Sequence, residues 1–379
     1  MTEPVRPRAR RSALVTVCLP LLLSTLALLT AGCDSGPPKP TPEQIRAQIK
    51  RLMPASVEDR AGWATDIQTA FASLEIEPSA QNLCSALAVT EQESSFSANP
   101  AVPGLGKIAR TEIELRAARY KIPAFAVRAA LQMASPNGET WDARIAAVKT
   151  EKELSELFES MIARVPFGNR LLARANPVHT GGPMQVSIAF AEAHASEHPY
   201  PYFVDGSIRN EVFSRRGGVY FGIAHLLGYP AAYDKPLYRF ADFNAGRYAS
   251  RNAAFQNAVS VATGKPLDLD GDLVRYRKGE DGSKVGATET AVLALSGKLS
   301  MTPDEIHDAL ADAGRQRFED SALYTRIFTL AEKRSGRSLP RAMLPRIRLH
   351  SPKITRKLTT EWFAKRVNQR YQRCMRRAK

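Results

Sequence analysis

Cysteine is scarce and never closely paired. The 379-residue chain has four, at positions 18, 33, 84 and 374, with no Cys-x-x-Cys spacing, which leaves no zinc-ribbon or dithiol redox motif. No Gly-x-x-x-x-Gly-Lys-Ser/Thr segment occurs, so a P-loop nucleotide site is excluded. Alternating apolar and polar runs of the β type are few, and no internal repeat or low-complexity block is present. Acidic residues are almost missing from both ends. The formal charge of +15 therefore sits there, as a net +3 in residues 1–32 and +13 in residues 337–379. The body between them is electrically balanced, which argues against nucleic acid as its partner. With 44% apolar and 24% charged residues the composition is ordinarily globular, which excludes a wholly disordered chain.

The first 32 residues have the layout of a secretory signal. Arg6, Arg8, Arg10 and Arg11 form a positive start, and residues 13–30 are uncharged and rich in Leu. Eighteen helical residues would span about 27 Å, so a retained anchor is geometrically possible. Leu29-Thr30-Ala31-Gly32-Cys33 resembles the lipobox of bacterial lipoproteins, which implies lipidation of Cys33 as the mature N-terminus. Asp34 to Pro40 then reads as a stiffened spacer. Cys18 leaves with the signal, so Cys84 and Cys374 are the remaining candidates for a disulfide in an oxidising periplasm. Nothing in the spacing brings them together, and a buried Cys84 acting as a small hydrophobe is the favoured reading.

Helix after helix follows. Thr41-Pro42-Glu43, the capping box Thr150-Glu151-Lys152-Glu153 and Thr302-Pro303-Asp304-Glu305 are helix starts. Leu154, Leu157, Phe158, Met161, Ile162 and Val165 recur at helical spacing. Val219, Ile223, Leu226 and Leu227 form another stripe, with a left-handed cap expected at Gly228. The fold class is all-α.

Three separated segments in residues 80–250 carry the chemistry. In Val89-Thr90-Glu91-Gln92-Glu93-Ser94-Ser95-Phe96 the two Glu diverge by about 200° on a helix that Ser79 caps, so at most one faces a given pocket. Glu93 sits at the edge of an apolar stripe, where desolvation raises a carboxyl pKa toward that of a general acid. Taken alone, a Glu at a helix end is most often solvated. Thr180-Gly181-Gly182-Pro183-Met184-Gln185-Val186-Ser187 reads as a glycine turn running into a helix. Phe240-Ala241-Asp242-Phe243-Asn244-Ala245-Gly246-Arg247 places Gly inside an aromatic-rich helix, at a cost of about 1 kcal/mol against Ala unless something must approach closely.

Together, and in this order, the segments resemble the Glu-Ser-x-Phe, Gly-Leu-Met-Gln and Tyr-Asn-Ala-Gly motifs of the lytic transglycosylases in the goose-type-lysozyme superfamily. Residues 217–227 resemble the helix between the last two motifs, and the resemblance covers roughly residues 79–265. It implies a lysozyme-like core with Glu93 as the catalytic acid and Ser94, Met184, Gln185, Phe243 and Asn244 lining a saccharide cleft. Pro183 stands where the family has Leu, and Phe243 replaces a Tyr whose hydroxyl supports the catalytic carboxyl. About 90 residues separate Glu93 from Met184, several times the family's gap, so residues 105–178 read as a helical insertion over or beside the cleft. At larger scale the chain also resembles the YaiW-type envelope lipoproteins, a group implicated in antimicrobial-peptide uptake.

The implied reaction needs one acid. Hydrolytic glycosidases use two carboxyl groups flanking the bond; no acid lies within several residues of Gly-Pro-Met-Gln, and Asp242 is the only one beside Asn-Ala-Gly. A transglycosylase protonates the MurNAc–GlcNAc oxygen and then takes the proton from the MurNAc C6 hydroxyl, closing a 1,6-anhydro ring without water. No cofactor or metal is expected. Tyr200, Tyr202, Phe203, Tyr220 and Tyr229 are candidates to stack on sugars, with core packing the plainer use for most.

Two other clusters compete. His194-Ala195-Ser196-Glu197-His198 fits an inverted zinc-protease pattern, which would make a peptidase of the wall's peptide stems. Pro199 closes that helix and no third ligand follows, so two solvated histidines is the plainer reading. Asp268-Leu269-Asp270-Gly271-Asp272 lacks the twelve-residue loop and terminal Glu of an EF-hand and reads as a polar turn.

The expected organisation is a lipoprotein signal peptide at 1–32, a linker at 33–40 and the lysozyme-like helical domain with its insertion at 41–265. A helical extension follows at 266–336, then a basic C-terminal segment at 337–379, which either packs on the domain or lies on an anionic lipid or envelope polymer. The expected function is non-hydrolytic cleavage of peptidoglycan glycan strands by a lipid-anchored envelope protein facing the periplasm. Its alternative is a non-catalytic lipoprotein of the same fold that binds glycan or assists peptide uptake. Asp34 after Cys33 matches an inner-membrane retention signal of enteric bacteria, whereas the YaiW-type resemblance implies the outer membrane, which is preferred here.

Overall fold

Helix starts fall where the capping residues stand. In the computed structural model, which describes residues 40–274, 285–349 and 356–379, Ser79, Thr150 and Thr302 each accept a backbone N–H from their first turn. Thr150 and Thr302 complete reciprocal capping boxes with Glu153 and Glu305. The expected signal peptide, Cys33 and the expected linker as far as residue 39 lie outside the described residues.

Helices α1 (Pro42–Leu52), α2 (Arg60–Ser73) and α3 (Ala80–Ser94) come first. An inserted group follows: α4 (Leu105–Arg119), α5 (Ala124–Leu131), α6 (Trp141–Ala147), α7 (Glu151–Ile162) and α8 (Gly168–Leu172). A small antiparallel hairpin, β1 (Thr180–Gly181) and β2 (Val186–Ser187), leads into α9 (Ile188–Glu197), α10 (Ile208–Val212), α11 (Arg215–Leu227) and α12 (Pro236–Ala245). Then come α13 (Ala249–Thr263), α14 (Ala287–Leu293), α15 (Ser296–Leu299), α16 (Pro303–Ala311) and α17 (Ala322–Ser335). A second hairpin pairs β3 (Arg348–Leu349) with β4 (Leu358–Thr359), and α18 (Thr360–Ala378) ends the chain. The structure is mainly helical, with only these two-residue strands among the described residues.

Apolar burial separates into three clusters. The first collects Phe71, Leu87, Val89, Met184, Phe221, Phe240 and Val367 from α2, α3, the first hairpin, α11, α12 and α18. The second, built on Phe255, Phe318, Ile327 and Phe328, joins α13 to α14–α17. The third, with Leu131, Trp141, Ile145 and Leu157, lies within the inserted helices and gives them a core of their own. Residues 42–379 form one compact unit that holds all three clusters.

The helical end of the basic C-terminal segment, α18, is part of the first core. On α18 the residues Phe363, Ala364, Val367, Tyr371 and Cys374 are buried, while Arg366, Arg370, Arg373 and Arg377 recur on another face at helical spacing. Fully burying a large apolar side chain contributes about 1.5–3 kcal/mol, enough in sum to hold the helix against the core rather than in solvent. A disulfide joins Cys374 to Cys84 on α3, with Cα atoms 5.5 Å apart. This corrects the expectation of a lone buried thiol at Cys84. The two residues are 290 positions apart in sequence, and only the helix docking brings them together.

That bond closes nearly the whole unit into one loop. Cys374→Ser in residues 42–379 is expected to lower the unfolding free energy by about 2–5 kcal/mol, read from urea midpoints with and without reductant. An oxidised wild type that melts with its reduced form and with the variant contradicts the bond.

Candidate functional site

Helix α3 ends in a strained turn. Ser95 and Phe96 both have left-handed backbone angles, φ 51° and 64°, which for a bulky residue such as Phe costs about 1–3 kcal/mol. Burial repays it: Phe96 is enclosed and its ring meets Trp63 of α2 edge-on at 5.4 Å. The last turn of α3, with Glu91, Glu93 and Ser94, is thereby held in place. The Ser94 hydroxyl donates back to the Thr90 carbonyl at 3.1 Å, inside its own helix.

The two carboxylates of this turn have different fates. Glu91 is engaged by α18, with Arg373 Nη2 at 2.7 Å and Arg370 Nε at 3.6 Å from its Oε1. Glu93 makes no hydrogen bond or ion pair among the described residues. Loss of hydration pushes its pKa up to about 7 from 4.5, while the positive charge of Arg370 pulls the other way. Arg370, whose own pKa burial lowers, thus faces a paired and an unpaired carboxyl.

The Met184–Gln185 segment is the turn of the first hairpin and not simply a loop entering a helix. Gly182 has φ 71°, and a Cβ there would run into the carbonyl oxygen of Val212, so only glycine fits. Met184 is fully buried and its side chain fills the space left by Gly222 on α11. Its part is therefore to seat the hairpin, not to present a surface. Gln185, half-buried with φ 50°, accepts from Thr180 Oγ1 and donates to the Gly182 carbonyl, both at 3.3 Å.

Asn244 lies at the end of α12, where helix geometry stops at Ala245. Gly246 follows with φ 107° and ψ 147°, an extended positive-φ backbone open mainly to glycine, so the glycine serves the helix exit and carries no mid-helix penalty. This corrects the reading of Gly246 as a helix-interior residue; Gly228, with φ −77°, likewise forms no left-handed cap. Asn244 is exposed, and its Oδ1 accepts from Thr360 Oγ1 at the start of α18, 2.9 Å away. Phe243 is half-buried, its ring 5.1 Å from that of His225.

Asp242 anchors this exit. It accepts from the hydroxyls of Tyr229 (3.1 Å) and Tyr233 (2.7 Å) and from the backbone N–H groups of Tyr248 (3.0 Å) and Ser250 (2.6 Å). Four donors leave it no capacity to act as a second acid, and burial raises its pKa despite them. Of the proposed stacking aromatics, Tyr220 and Tyr229 are buried, Tyr200 donates to Glu211 at 2.7 Å, and Phe203 stands open to solvent.

Helices α3 and α12 and strand β2 all pack on α11, and α3 and α12 both pack on α18. The elements bearing Glu93, Met184, Gln185 and Asn244 are therefore assembled around two helices, although Glu93 hydrogen-bonds neither Gln185 nor Asn244. Sequence reasoning missed the contribution of α18: Thr360 at Asn244, and Arg370 and Arg373 at the two Glu. The stripe Arg366, Arg370, Arg373, Arg377 alongside Phe363, Val367, Tyr371 and Cys374 was the available signal.

The histidine pair is not completed as a metal centre. His194 and His198 stack with ring centroids 4.4 Å apart, and burial lowers the His194 pKa to about 4. No group of three or more His, Cys, Asp or Glu among the described residues is placed to hold a metal ion. In the Asp268–Asp272 turn, Asp270 accepts from Gln256 at 2.7 Å and from the Asp272 N–H at 3.0 Å, as a polar turn does. No helix among the described residues is long and apolar enough to cross a membrane.

Residues 56–377 match the family model described as protein of unknown function (DUF1615), and the chain belongs to that family. It is 54% identical over 359 residues to the uncharacterized protein YaiW of Escherichia coli (strain K12), covering 93% of this chain and 97% of the relative. No solved structure matches.

A raised carboxyl pKa is also a statement about stability. The folded value of about 7 lies above the unfolded 4.5, so the stabilisation is fully present below about pH 4.5 and is lost as pH rises through about 7. Glu93→Gln removes that dependence. The variant should match wild type near pH 4 and be more stable near pH 8 by about 1–3 kcal/mol in thermal or urea unfolding. No gain near pH 8 contradicts a desolvated Glu93.

Proposed function

We propose that this member of the DUF1615 family is a peptidoglycan lytic transglycosylase, lipid-anchored in the cell envelope, with a lysozyme-like core built around α3, α11 and α12. The observation that carries the reading is Glu93: an unpaired carboxyl in a rigid turn, half-protonated near neutrality, beside a twin that arginines consume. A carboxyl of pKa about 7 serves equally as donor and acceptor at neutral pH. Protonated Glu93 gives its proton to the glycosidic oxygen between MurNAc and GlcNAc. The resulting carboxylate takes the proton of the MurNAc C6 hydroxyl, whose oxygen closes on C1. Bonds and protons balance without water.

The saturation of Asp242 by four donors supports a one-acid mechanism, since no partner carboxylate is left to activate water or to attack C1. Asn244 is exposed, and its amide N–H groups are available to sugar hydroxyls while its Oδ1 accepts from Thr360. The Cys84–Cys374 bond supports an oxidising compartment, in keeping with a signal peptide, lipidation at Cys33 and a periplasmic, outer-membrane-anchored location. A second reading, a binding lipoprotein without turnover, is favoured by Phe243 and by Gln185 being folded back on its own hairpin.

Residues 42–379 and their Glu93→Gln variant, incubated with purified sacculi, separate these readings. Catalysis is expected to release 1,6-anhydro-muropeptides from the wild type, with the variant slower by about a hundredfold or more. Products with a free reducing MurNAc end contradict the one-acid mechanism. Sedimentation of both proteins with sacculi without any release overturns the enzyme and leaves the binding protein.

A further inference from the structure

Eleven large apolar side chains are exposed among the described residues, and nine of them lie between Leu115 and Leu172, on the inserted helices and their connections. Three are aromatic and stand far out: Tyr120, Phe125 and Phe167 are 81%, 70% and 79% exposed. A monomer seldom displays so much apolar surface in one module unless something binds it.

The charge nearest to these residues in sequence is positive, with Glu114, Glu139 and Glu159 standing at the borders. Residues 115–138 and 160–174 contain every one of the nine and not a single Asp or Glu. They do contain Arg116, Arg119, Lys121, Arg128, Arg164, Arg170 and Arg174, all exposed. The two stretches meet: Arg116 Nη1 donates to the carbonyl of Ala175 at 3.3 Å, which ties the end of α4 to the end of the second stretch. Beneath the junction an apolar cavity of about 480 Å³ opens between α4 and α7, walled by Ile108, Ile113, Leu157, Phe158 and Met161.

We propose that the inserted helical module is a membrane-docking face, which seats its aromatic and aliphatic side chains in the headgroup boundary of an anionic phospholipid bilayer. Interleaved cations and large apolar residues are what that boundary binds: phosphates pair with Arg and Lys while Tyr, Phe and Leu enter the acyl edge. Charge complementarity selects this occupant over others. A second copy would bring seven cations against seven, and a cationic peptide would be repelled in the same way. The module has its own core, so it can carry this face without disturbing the first cluster. The inference does not depend on catalysis by Glu93, because its readout is vesicle binding.

Residues 42–379, which lack the lipidation cysteine, are mixed with vesicles of phosphatidylethanolamine and phosphatidylglycerol, or of phosphatidylcholine alone, and floated on a density gradient at low and high salt. Binding is expected to the anionic vesicles, to weaken with salt, and to be slight on phosphatidylcholine. Replacing Arg119, Lys121 and Arg170 by Glu should weaken it by about a hundredfold or more, since one cation lost near an anionic bilayer costs roughly a factor of five. Phe125→Asp with Phe167→Asp should abolish it while leaving the melting temperature unchanged, because both side chains are exposed. A wild type that stays out of the anionic vesicle layer overturns the proposal. So does equal binding to both lipid compositions, or a dimer in vesicle-free solution that Phe125→Asp dissociates, which would assign the face to a second copy.

Discussion

Helix α18 lies across α3 and α12, and the first core depends on that docking. Its apolar face fills the space between the two helices, its cysteine is bonded to α3, and its first residue hydrogen-bonds Asn244 at the end of α12. Without it, Leu87, Val89 and Phe240 would lose a wall of the core, and the end of α12 would lose a tether to the rest. A helix with six basic residues and one acidic residue is thus a structural strut whose cations are partly spent on the protein itself: Arg373 on Glu91, and Arg377 on the carbonyl of Leu52.

The same docking sorts the carboxylates. Glu91 and Glu93 are two residues apart, and helical geometry turns them to different surroundings. One meets arginines. The other has no hydrogen-bond or ion-pair partner among the described residues, so loss of hydration outweighs the pull of Arg370 on its titration. Rigidity comes from the turn that follows, where Phe96 holds an unfavourable backbone angle because its ring is locked against Trp63. Strain of this kind, maintained by packing, keeps a reactive group from relaxing into water.

Much of this was legible in the sequence, and the misses have definite causes. Helix starts were readable because capping is local: Ser79, Thr150 and Thr302 act within three residues of themselves. The desolvation of Glu93 followed from its place at the edge of an apolar stripe. The Cys84–Cys374 bond and the role of Arg370 were not readable, because each depends on a helix returning from the far end of the chain. Gly246 stands one position past the end of its helix, enough to turn a positive-φ exit into an apparent defect in the sequence. The hairpin at Met184 reads in the sequence as a glycine turn running into a helix, because two-residue strands carry no periodic signal. The inserted helices were visible as helices, but which side chains they leave exposed required the structure.

The claim on which the rest turns is that Glu93 is an isolated, desolvated carboxyl. It can be measured directly by titrating the protein with ¹³C-labelled Glu carboxyl groups and assigning the Glu93 resonance from its loss in the Glu93→Gln variant. The expected midpoint is about 7, well separated from an ordinary glutamate. A midpoint near 4.5 would mean a solvated or salt-bridged side chain, and would contradict both the burial described here and the general acid built on it.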